Sequence, residues 1–242
     1  MRLICLPYAG GSAMIYARWK RRLPSWIDVV PLELPGRGVR MDERLHTDPS
    51  ALADQLAAEL NEKPFDGPYA LFGHSLGGLI AFEMAHRLLA LGAPAPQMLF
   101  VSGTEAPTMR DGHRWREPLN DDALRDELLR LKGTPTEALE DMEIMRSALP
   151  ILRADFLMCG NYVDRRRQAL PCPIHAFGGE LDETDLEALK AWRHETSAAF
   201  GLDMLPGDHF FIHSQQAALL SRVTILLARQ MEPQLAVTCA GP

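Results

Sequence analysis

Short apolar runs alternate along the chain with longer stretches in which apolar residues recur at helical spacing. The apolar runs predict six strands, at residues 2–6, 29–34, 69–72, 98–102, 174–177 and 202–205. Residues 69–72 and 98–102 are apolar at successive positions, which is typical of central strands in a parallel sheet that is covered on both faces. Pro31 removes a backbone donor from the second run and therefore favours an edge strand or a bulge there.

The helical patterns lie between these strands, at residues 13–22, 48–61, 76–91, 184–200 and 215–231. Asp48 and Pro49 form a typical helix start, and Gly92 follows the end of the third pattern. The alternation of strands and helices predicts an α/β protein with a mostly parallel sheet flanked by helices on both faces.

Residues 104–170 interrupt this alternation because they contain no strand-like run. Helical patterns occur instead near residues 121–131, 136–149 and 152–159. Glycine and proline punctuate the segment at Pro107, Gly112, Pro118, Gly133, Pro135 and Pro150. We therefore expect a core made of residues 1–103 and 171–242, with residues 104–170 inserted as helices over the strand ends, where open α/β sheets bind ligands.

The composition restricts the class of protein further. The chain has 242 residues, 47% of them hydrophobic, and a formal net charge of −7, which gives no electrostatic reason to expect nucleic-acid binding. No apolar run is long enough to cross a membrane, and the N-terminal pattern is not that of a signal peptide. Cys5, Cys159, Cys172 and Cys239 lack metal-site spacing, so we expect free thiols, a cytoplasmic location and no metal or cofactor.

Residues 73–77 read Gly-His-Ser-Leu-Gly and fit the G-x-S-x-G pattern of a nucleophile elbow. The pattern alone is weak, and a glycine-rich turn without chemistry is the alternative. Its context is more specific, because an apolar strand enters the turn and a helical pattern leaves it. Such a turn would project the hydroxyl of Ser75 above the sheet, close to a helix N-terminus that stabilises negative charge.

A serine nucleophile needs a base, and in this class of fold the partners follow in the order serine, acid, histidine. His209 lies directly after the last predicted strand and is the expected base, with His213 as the alternative. His74, His86, His175 and His194 are expected to have no catalytic role.

The acid should follow the strand at residues 174–177. Asp182 is the expected acid, and Glu180, Glu183 and Asp185 are the alternatives. Its role would be to orient the imidazole and to stabilise the imidazolium.

A tetrahedral oxyanion requires hydrogen-bond donors. One expected donor is the backbone N–H of Leu76, the residue after the serine. The other comes from the loop at residues 7–12, where the N–H of Ala9 is preferred and Tyr8 is the alternative.

Four further motifs carry a family resemblance. They are Leu-Pro-Tyr-Ala-Gly-Gly-Ser at residues 6–12, Leu-Pro-Gly-Arg-Gly-Val-Arg at 34–40, Leu-Pro-Ile-Leu-Arg-Ala-Asp-Phe at 149–156 and Pro-Gly-Asp-His-Phe-Phe at 206–211. Together with the serine motif they resemble the type II thioesterases of nonribosomal peptide and polyketide synthesis. The resemblance covers nearly the whole chain, and it differs from the common family pattern at Tyr8, where a histidine is usual.

This resemblance implies a stand-alone enzyme of the α/β-hydrolase fold with a helical lid. Members hydrolyse acyl thioesters on the phosphopantetheine arm of acyl or peptidyl carrier proteins and so clear stalled groups from antibiotic or siderophore assembly lines. The triad would be Ser75, Asp182 and His209, and residues 104–170 would form the lid. We expect a monomer that binds neither nucleic acid nor membranes, with carrier protein domains as its partners.

Two arginine groups and several rival functions remain open at this point. Arg37 and Arg40 are interpreted as structural, and residues 165–167 as a solvated turn; contact with an acidic carrier protein is the alternative for both. A general carboxylesterase or lipase would be expected to show an HGGG motif or a secretion signal. An acyl-CoA or fatty-acyl thioesterase differs only in substrate, and a non-catalytic receptor would typically lack a triad member.

Overall fold

The computed structural model describes residues 1–62, 67–110, 115–133 and 139–238. Its centre is a sheet of six parallel strands in the order β2-β1-β3-β4-β5-β6. The strands are β1 (Arg2–Leu6), β2 (Asp28–Pro31), β3 (Tyr69–His74), β4 (Leu99–Ser102), β5 (Ile174–Gly179) and β6 (Phe200–Leu205). All six predicted strands are therefore present, and the strand that contains Pro31 lies at an edge of the sheet, as predicted.

Helices cover both faces of this sheet. They are α1 (Pro49–Asn61), α2 (Leu76–Ala90), α3 (Asp121–Leu131), α4 (Met142–Gly160), α5 (Leu186–Lys190), α6 (Phe211–Ser214) and α7 (Gln216–Thr238). Alternate residues of β1 join different apolar clusters: Ile4 packs in the cluster of α1 and α2, whereas Leu3 packs in the cluster of α7. The prediction of a parallel α/β sheet flanked by helices is confirmed.

The sequence prediction of a helix at residues 13–22 is wrong. The chain forms two short 3-10 turns there, Ala13–Tyr16 and Trp19–Arg21. Tyr16 and Trp19 are buried in the core, and the Tyr16 hydroxyl donates a hydrogen bond to the Leu6 carbonyl oxygen at 2.6 Å. Anchoring of these two large side chains on the sheet determines the local path of the chain.

The predicted helix at residues 184–200 is also mostly wrong. Only α5 and a 3-10 turn (Ala191–Glu195) form, and Phe200 already belongs to β6, where it pairs with Ile174. Trp192 is fully buried and donates its indole N–H to the Thr104 carbonyl oxygen at 2.8 Å. Strand pairing and this buried indole outweigh the local helical pattern.

The segment between β4 and β5 contains α3 as predicted, but α4 is one continuous helix through Pro150 where two helices were expected. Asp141 caps its start by accepting the N–H groups of Glu143 and Ile144. The two helices share an apolar cluster that contains Leu124, Leu128, Leu139, Met145, Leu152 and Phe156. Burial of this face offsets the cost of an internal proline, which is about 3 kcal/mol. Gly112 and residues 134–138 lie outside the described residues.

The described residues include no helix with the length and hydropathy that a bilayer span requires.

Candidate active site

Ser75 lies at the turn between β3 and α2, as the motif predicts. Its backbone angles are φ 53° and ψ −120°, a combination that is costly for a residue with a side chain. Its N–H donates to the Ser102 carbonyl oxygen of β4 at 2.7 Å. The neighbouring strand therefore holds the strained turn in place.

Close backbone contacts explain the glycines of this turn. A Cβ atom on Gly73 would lie 2.0 Å from the Gly77 carbonyl oxygen, and one on Gly77 would lie 2.3 Å from the Leu6 carbonyl oxygen. Real Cβ atoms do not approach oxygen so closely. Gly73 must be glycine for α2 to begin so close to β3, and Gly77 must be glycine for α2 to pack against β1.

Asp182 and His209 meet at the carboxyl edge of the sheet. Asp182 follows β5 and His209 follows β6, and the histidine Nδ1 lies 2.9 Å from Asp182 Oδ2 and 3.1 Å from Oδ1. Burial raises the pKa of Asp182, but the hydrogen bond and charge of His209 lower it, as does the Thr184 N–H, and the pKa is lowered overall. The carboxylate is thus held ionised against the ring.

The other acidic candidates have different surroundings. Glu183 forms an ion pair with Arg130 of α3, and Glu180 is exposed. Asp185 lies directly before α5. The structure therefore brings Asp182 to the histidine.

His213, the alternative base, lies in α6. Its Nε2 is 2.9 Å from the Tyr8 hydroxyl, and its ring stacks on Phe210 with 6.3 Å between centroids. His213 therefore contacts the loop at residues 7–12 through Tyr8, whereas His209 contacts Asp182.

All five predicted site residues line one cavity of about 580 Å³. They are Ser75, Asp182 and His209 together with Leu76 and Ala9. Residues 104–170 contribute a largely apolar part of the lining, with Met109, Trp115, Leu128, Ile144, Leu152 and Phe156 among its side chains. The cavity can therefore receive an apolar group beside the serine.

Two backbone N–H groups hold the loop at residues 7–12 in place by donating hydrogen bonds. Gly10 has φ +76°, which a glycine adopts without strain, and its N–H donates to Asp155 Oδ2 at 2.7 Å. The Gly11 N–H donates to the Tyr8 carbonyl oxygen at 2.9 Å. This fixes the peptide groups around Ala9 at the cavity wall.

Asp155 and Arg37 form a buried bidentate ion pair. Arg37 Nη1 lies 2.6 Å from Asp155 Oδ2, and Nη2 lies 2.8 Å from Oδ1. Arg37 is 4% exposed and Asp155 is 0% exposed, and this burial favours the structural interpretation of Arg37 over contact with a carrier protein. Arg37 and Asp155 lie in the motifs at residues 34–40 and 149–156. Because they are 118 positions apart, the spacing of residues within either motif does not predict that they pair.

Arg40 and Arg167 are engaged in ion pairs as well. Arg40 binds Glu43 at 2.6 Å and Glu59 at 2.8 Å. Arg167 pairs with the buried carboxylate of Glu83. These contacts favour the structural interpretation of Arg40 and make Arg167 more than a solvated turn residue.

His74 has a role that the sequence analysis missed. It is fully buried, its Nδ1 lies 2.8 Å from Ser102 Oγ, and its Nε2 lies 2.9 Å from the His209 carbonyl oxygen. Burial lowers its pKa well below the ordinary value, so the ring is neutral. Because a carbonyl oxygen only accepts, Nε2 carries the proton and the Ser102 hydroxyl donates to Nδ1. His74 thereby holds the backbone of His209.

The fold and this arrangement of serine, histidine and aspartate define a class, the α/β hydrolases. Comparison with known proteins gives the family. The model of the thioesterase domain matches residues 1–226. The gramicidin S biosynthesis protein GrsT of Aneurinibacillus migulanus is 36% identical over 236 residues, which is 97% of this chain and 92% of GrsT. The chain belongs to the thioesterase family and is a thioester hydrolase.

Solved structures agree with this assignment. The RedJ thioesterase of the prodiginine pathway in Streptomyces coelicolor has a TM-score of 0.87 and 38% identity, covering 93% of this chain and 90% of RedJ. ClbQ from the colibactin nonribosomal peptide/polyketide pathway has a TM-score of 0.89 and 33% identity, covering 95% of this chain and 97% of ClbQ.

Replacement of Gly77 by Ala should lower the free energy of unfolding by about 3 kcal/mol, because the new methyl group meets the Leu6 carbonyl oxygen. The control is Gly92→Ala, where a Cβ has no atom within 4 Å and the cost is the positive φ alone, about 1 kcal/mol. Urea unfolding of both variants measures the difference. Equal losses would show that the approach of α2 to β1 is not tight.

The buried neutral ring of His74 should make the protein less stable at acidic pH. Since its folded-state pKa is lowered, the unfolded chain takes up a proton near pH 6.5 that the folded state does not, and stability falls as pH decreases below that value. Urea unfolding between pH 7 and 5 should give His74→Gln a slope smaller by up to about 1.4 kcal/mol per pH unit. His86 and His175, whose pKa values burial also lowers, are present in both proteins and cancel. Identical slopes would contradict a neutral His74.

Proposed function

We propose that this thioesterase removes acyl groups from the phosphopantetheine arm of carrier proteins that serve a nonribosomal peptide or polyketide assembly line. The observation that carries the proposal is that Ser75 and the Asp182–His209 pair line one cavity, to which residues 104–170 contribute mostly apolar side chains. The pathway names of GrsT, RedJ and ClbQ support the choice of substrate over fatty-acyl or simple esters.

In the first half of the reaction, Ser75 Oγ attacks the carbonyl carbon of the thioester. His209 accepts the hydroxyl proton at Nε2, since its Nδ1 faces Asp182. The N–H groups of Leu76 and Ala9 would hold the oxyanion, each contributing about 3–4 kcal/mol in comparable sites. Collapse of the tetrahedral adduct breaks the C–S bond, and His209 transfers the proton to the sulfur of the departing thiolate, which leaves as the thiol.

In the second half, water replaces the thiol beside His209. The imidazole takes a proton from this water as its oxygen attacks the acyl-serine carbonyl. A second tetrahedral adduct forms in the same oxyanion site and collapses to the free acid, while His209 reprotonates Ser75. Asp182 stays ionised throughout, in keeping with its lowered pKa.

Residues 104–170 form the lid in this proposal, over a core of residues 1–103 and 171–242. Support comes from the apolar cluster that α3 and α4 share with each other and from the lining they give to the cavity. Arg130 of α3 forms ion pairs with Glu127 and Glu183, next to the catalytic acid. The acyl chain would lie between these lid helices and Ser75.

We propose that the enzyme acts as a monomer in the cytoplasm, without a cofactor of its own. The buried free thiols of Cys5, Cys159 and Cys172 favour a reducing compartment. The phosphopantetheine belongs to the carrier protein, so the chemistry needs only side chains of this chain and water.

Ser75→Ala should abolish release of acyl groups from acyl-phosphopantetheinyl carrier protein, with a loss of about 10⁴-fold or more in kcat. Wild-type protein should hydrolyse the carrier-bound substrate with a higher kcat/KM than the matching acyl-CoA and p-nitrophenyl ester. A chromatographic assay of the released acid compares the three substrates directly.

Ser221→Ala is the matched control, because this serine lies exposed on α7 and does not line the cavity. It should retain activity within a few-fold of wild type. Preferred turnover of the simple ester would identify a general esterase, and full activity of Ser75→Ala would refute the serine mechanism.

Asp182→Asn should reduce kcat by about 10⁴-fold, because the amide favours the wrong tautomer of His209. Glu180→Gln and Asp185→Asn should leave kcat within about threefold, since neither carboxylate is seen to contact His209. Steady-state hydrolysis of the carrier-bound substrate by the three variants identifies the acid. A larger loss for either control than for Asp182→Asn would reassign that role.

A further inference from the structure

We infer that Asp155 of α4 is a positioning residue for the oxyanion site, acting through the loop at residues 7–12. The inference rests on the proposed serine mechanism and assigns a function to the Arg-Ala-Asp-Phe motif of α4. Under this inference, acyl transfer depends on the position of α4, a helix of the proposed lid.

The ion pair holds two peptide groups of the loop, Ala9–Gly10 through its N–H and Gly11–Ser12 through its carbonyl oxygen. Asp155 Oδ2 accepts the Gly10 N–H at 2.7 Å, and Arg37 Nη1 donates to the Gly11 carbonyl oxygen at 3.3 Å. Arg37 and Asp155 are themselves joined at 2.6 and 2.8 Å. The ion pair therefore fixes both the Gly10 N–H and the Gly11 carbonyl oxygen, close to Ala9.

The helix also lies directly on the loop. A Cβ on Gly10 would meet Leu152 Cδ2 at 2.5 Å, and Leu152 precedes Asp155 by one turn of α4. The Ala9–Gly10 peptide is thus confined by the Asp155 carboxylate and by the Leu152 side chain. Its orientation also restrains the preceding peptide, which carries the Ala9 N–H.

Catalysis depends strongly on such placement. A displacement of about 1 Å in a catalytic group can cost about 100-fold in rate. The ordinary structural role of a buried ion pair differs from this one, because breaking it destabilises the whole protein by leaving a buried charge uncompensated. Variants can separate the two roles if the variant that loses more activity is the one that keeps more stability.

Two variants provide that separation. Asp155→Asn keeps one oxygen that can accept the Gly10 N–H but leaves Arg37 without a counter-charge. The double variant Arg37→Leu/Asp155→Leu removes both charges and also removes both loop contacts. Asp121→Asn is the control. Asp121 of α3 pairs with Arg153 of α4, the helix that also carries Asp155, and it is not seen to contact the loop.

The double variant should lose about 100-fold in kcat with KM within twofold, although it unfolds at a higher urea concentration than Asp155→Asn. Asp155→Asn should lose less than tenfold in kcat. Affinity for an alkyl boronic acid, whose adduct with Ser75 is tetrahedral, should fall in parallel with kcat. Asp121→Asn should match wild type in kcat and boronate affinity.

A loss of kcat that follows the loss of stability across these variants would overturn the inference, as would wild-type kcat in the double variant. Ser75→Ala assayed alongside separates the two levels: if it stays active, the serine mechanism itself has failed. If the leucine pair does not fold, Arg37→Met/Asp155→Met, whose unbranched side chains adapt better to an irregular site, is measured in its place against the same criteria.

Discussion

The close approach of α2 to β1 is the constraint on which the rest of the site depends. Gly73 and Gly77 allow backbone atoms to pack where no Cβ would fit, and Ser75 takes up the resulting strain at φ 53°. The strain is sustained because β4 binds the Ser75 N–H and the sheet surrounds the turn. The serine side chain and the N-terminal end of α2 consequently face the same cavity.

Buried polar contacts then position the remaining groups around that serine. His74 holds the backbone of His209, Asp182 holds its ring, and Ser102 contacts both His74 and the Ser75 peptide group. His74 is neutral, whereas Asp182 is ionised and faces the ring of His209. Low dielectric strengthens each of these contacts and makes an unpaired member costly.

Much of this arrangement follows from local sequence signals. Apolar periodicity located all six strands, and the order of motifs along a parallel sheet located Ser75, Asp182 and His209 at its carboxyl edge. The helix predicted at residues 13–22 failed because Tyr16 and Trp19 both pack on Phe72 of β3, which the local helical pattern does not encode. The break predicted at Pro150 failed because burial of the apolar face of α4 outweighs the lost hydrogen bond.

Two long-range contacts were missed for a related reason. His74 contacts the His209 backbone 135 positions away, and Arg37 pairs with Asp155 118 positions away. No hydrophobic periodicity or motif spacing along the sequence encodes such contacts.

The role of Ser75 as nucleophile is tested by stoichiometric labelling with a fluorophosphonate, followed by mass spectrometry of the peptides and an assay of acyl-carrier hydrolysis. We expect one phosphonyl adduct, on the peptide that contains Ser75, with loss of hydrolysis in proportion to labelling and protection of both by excess acyl carrier protein. Hydrolysis that continues in fully labelled protein, or a Ser75 that stays unlabelled while activity is lost, would contradict it.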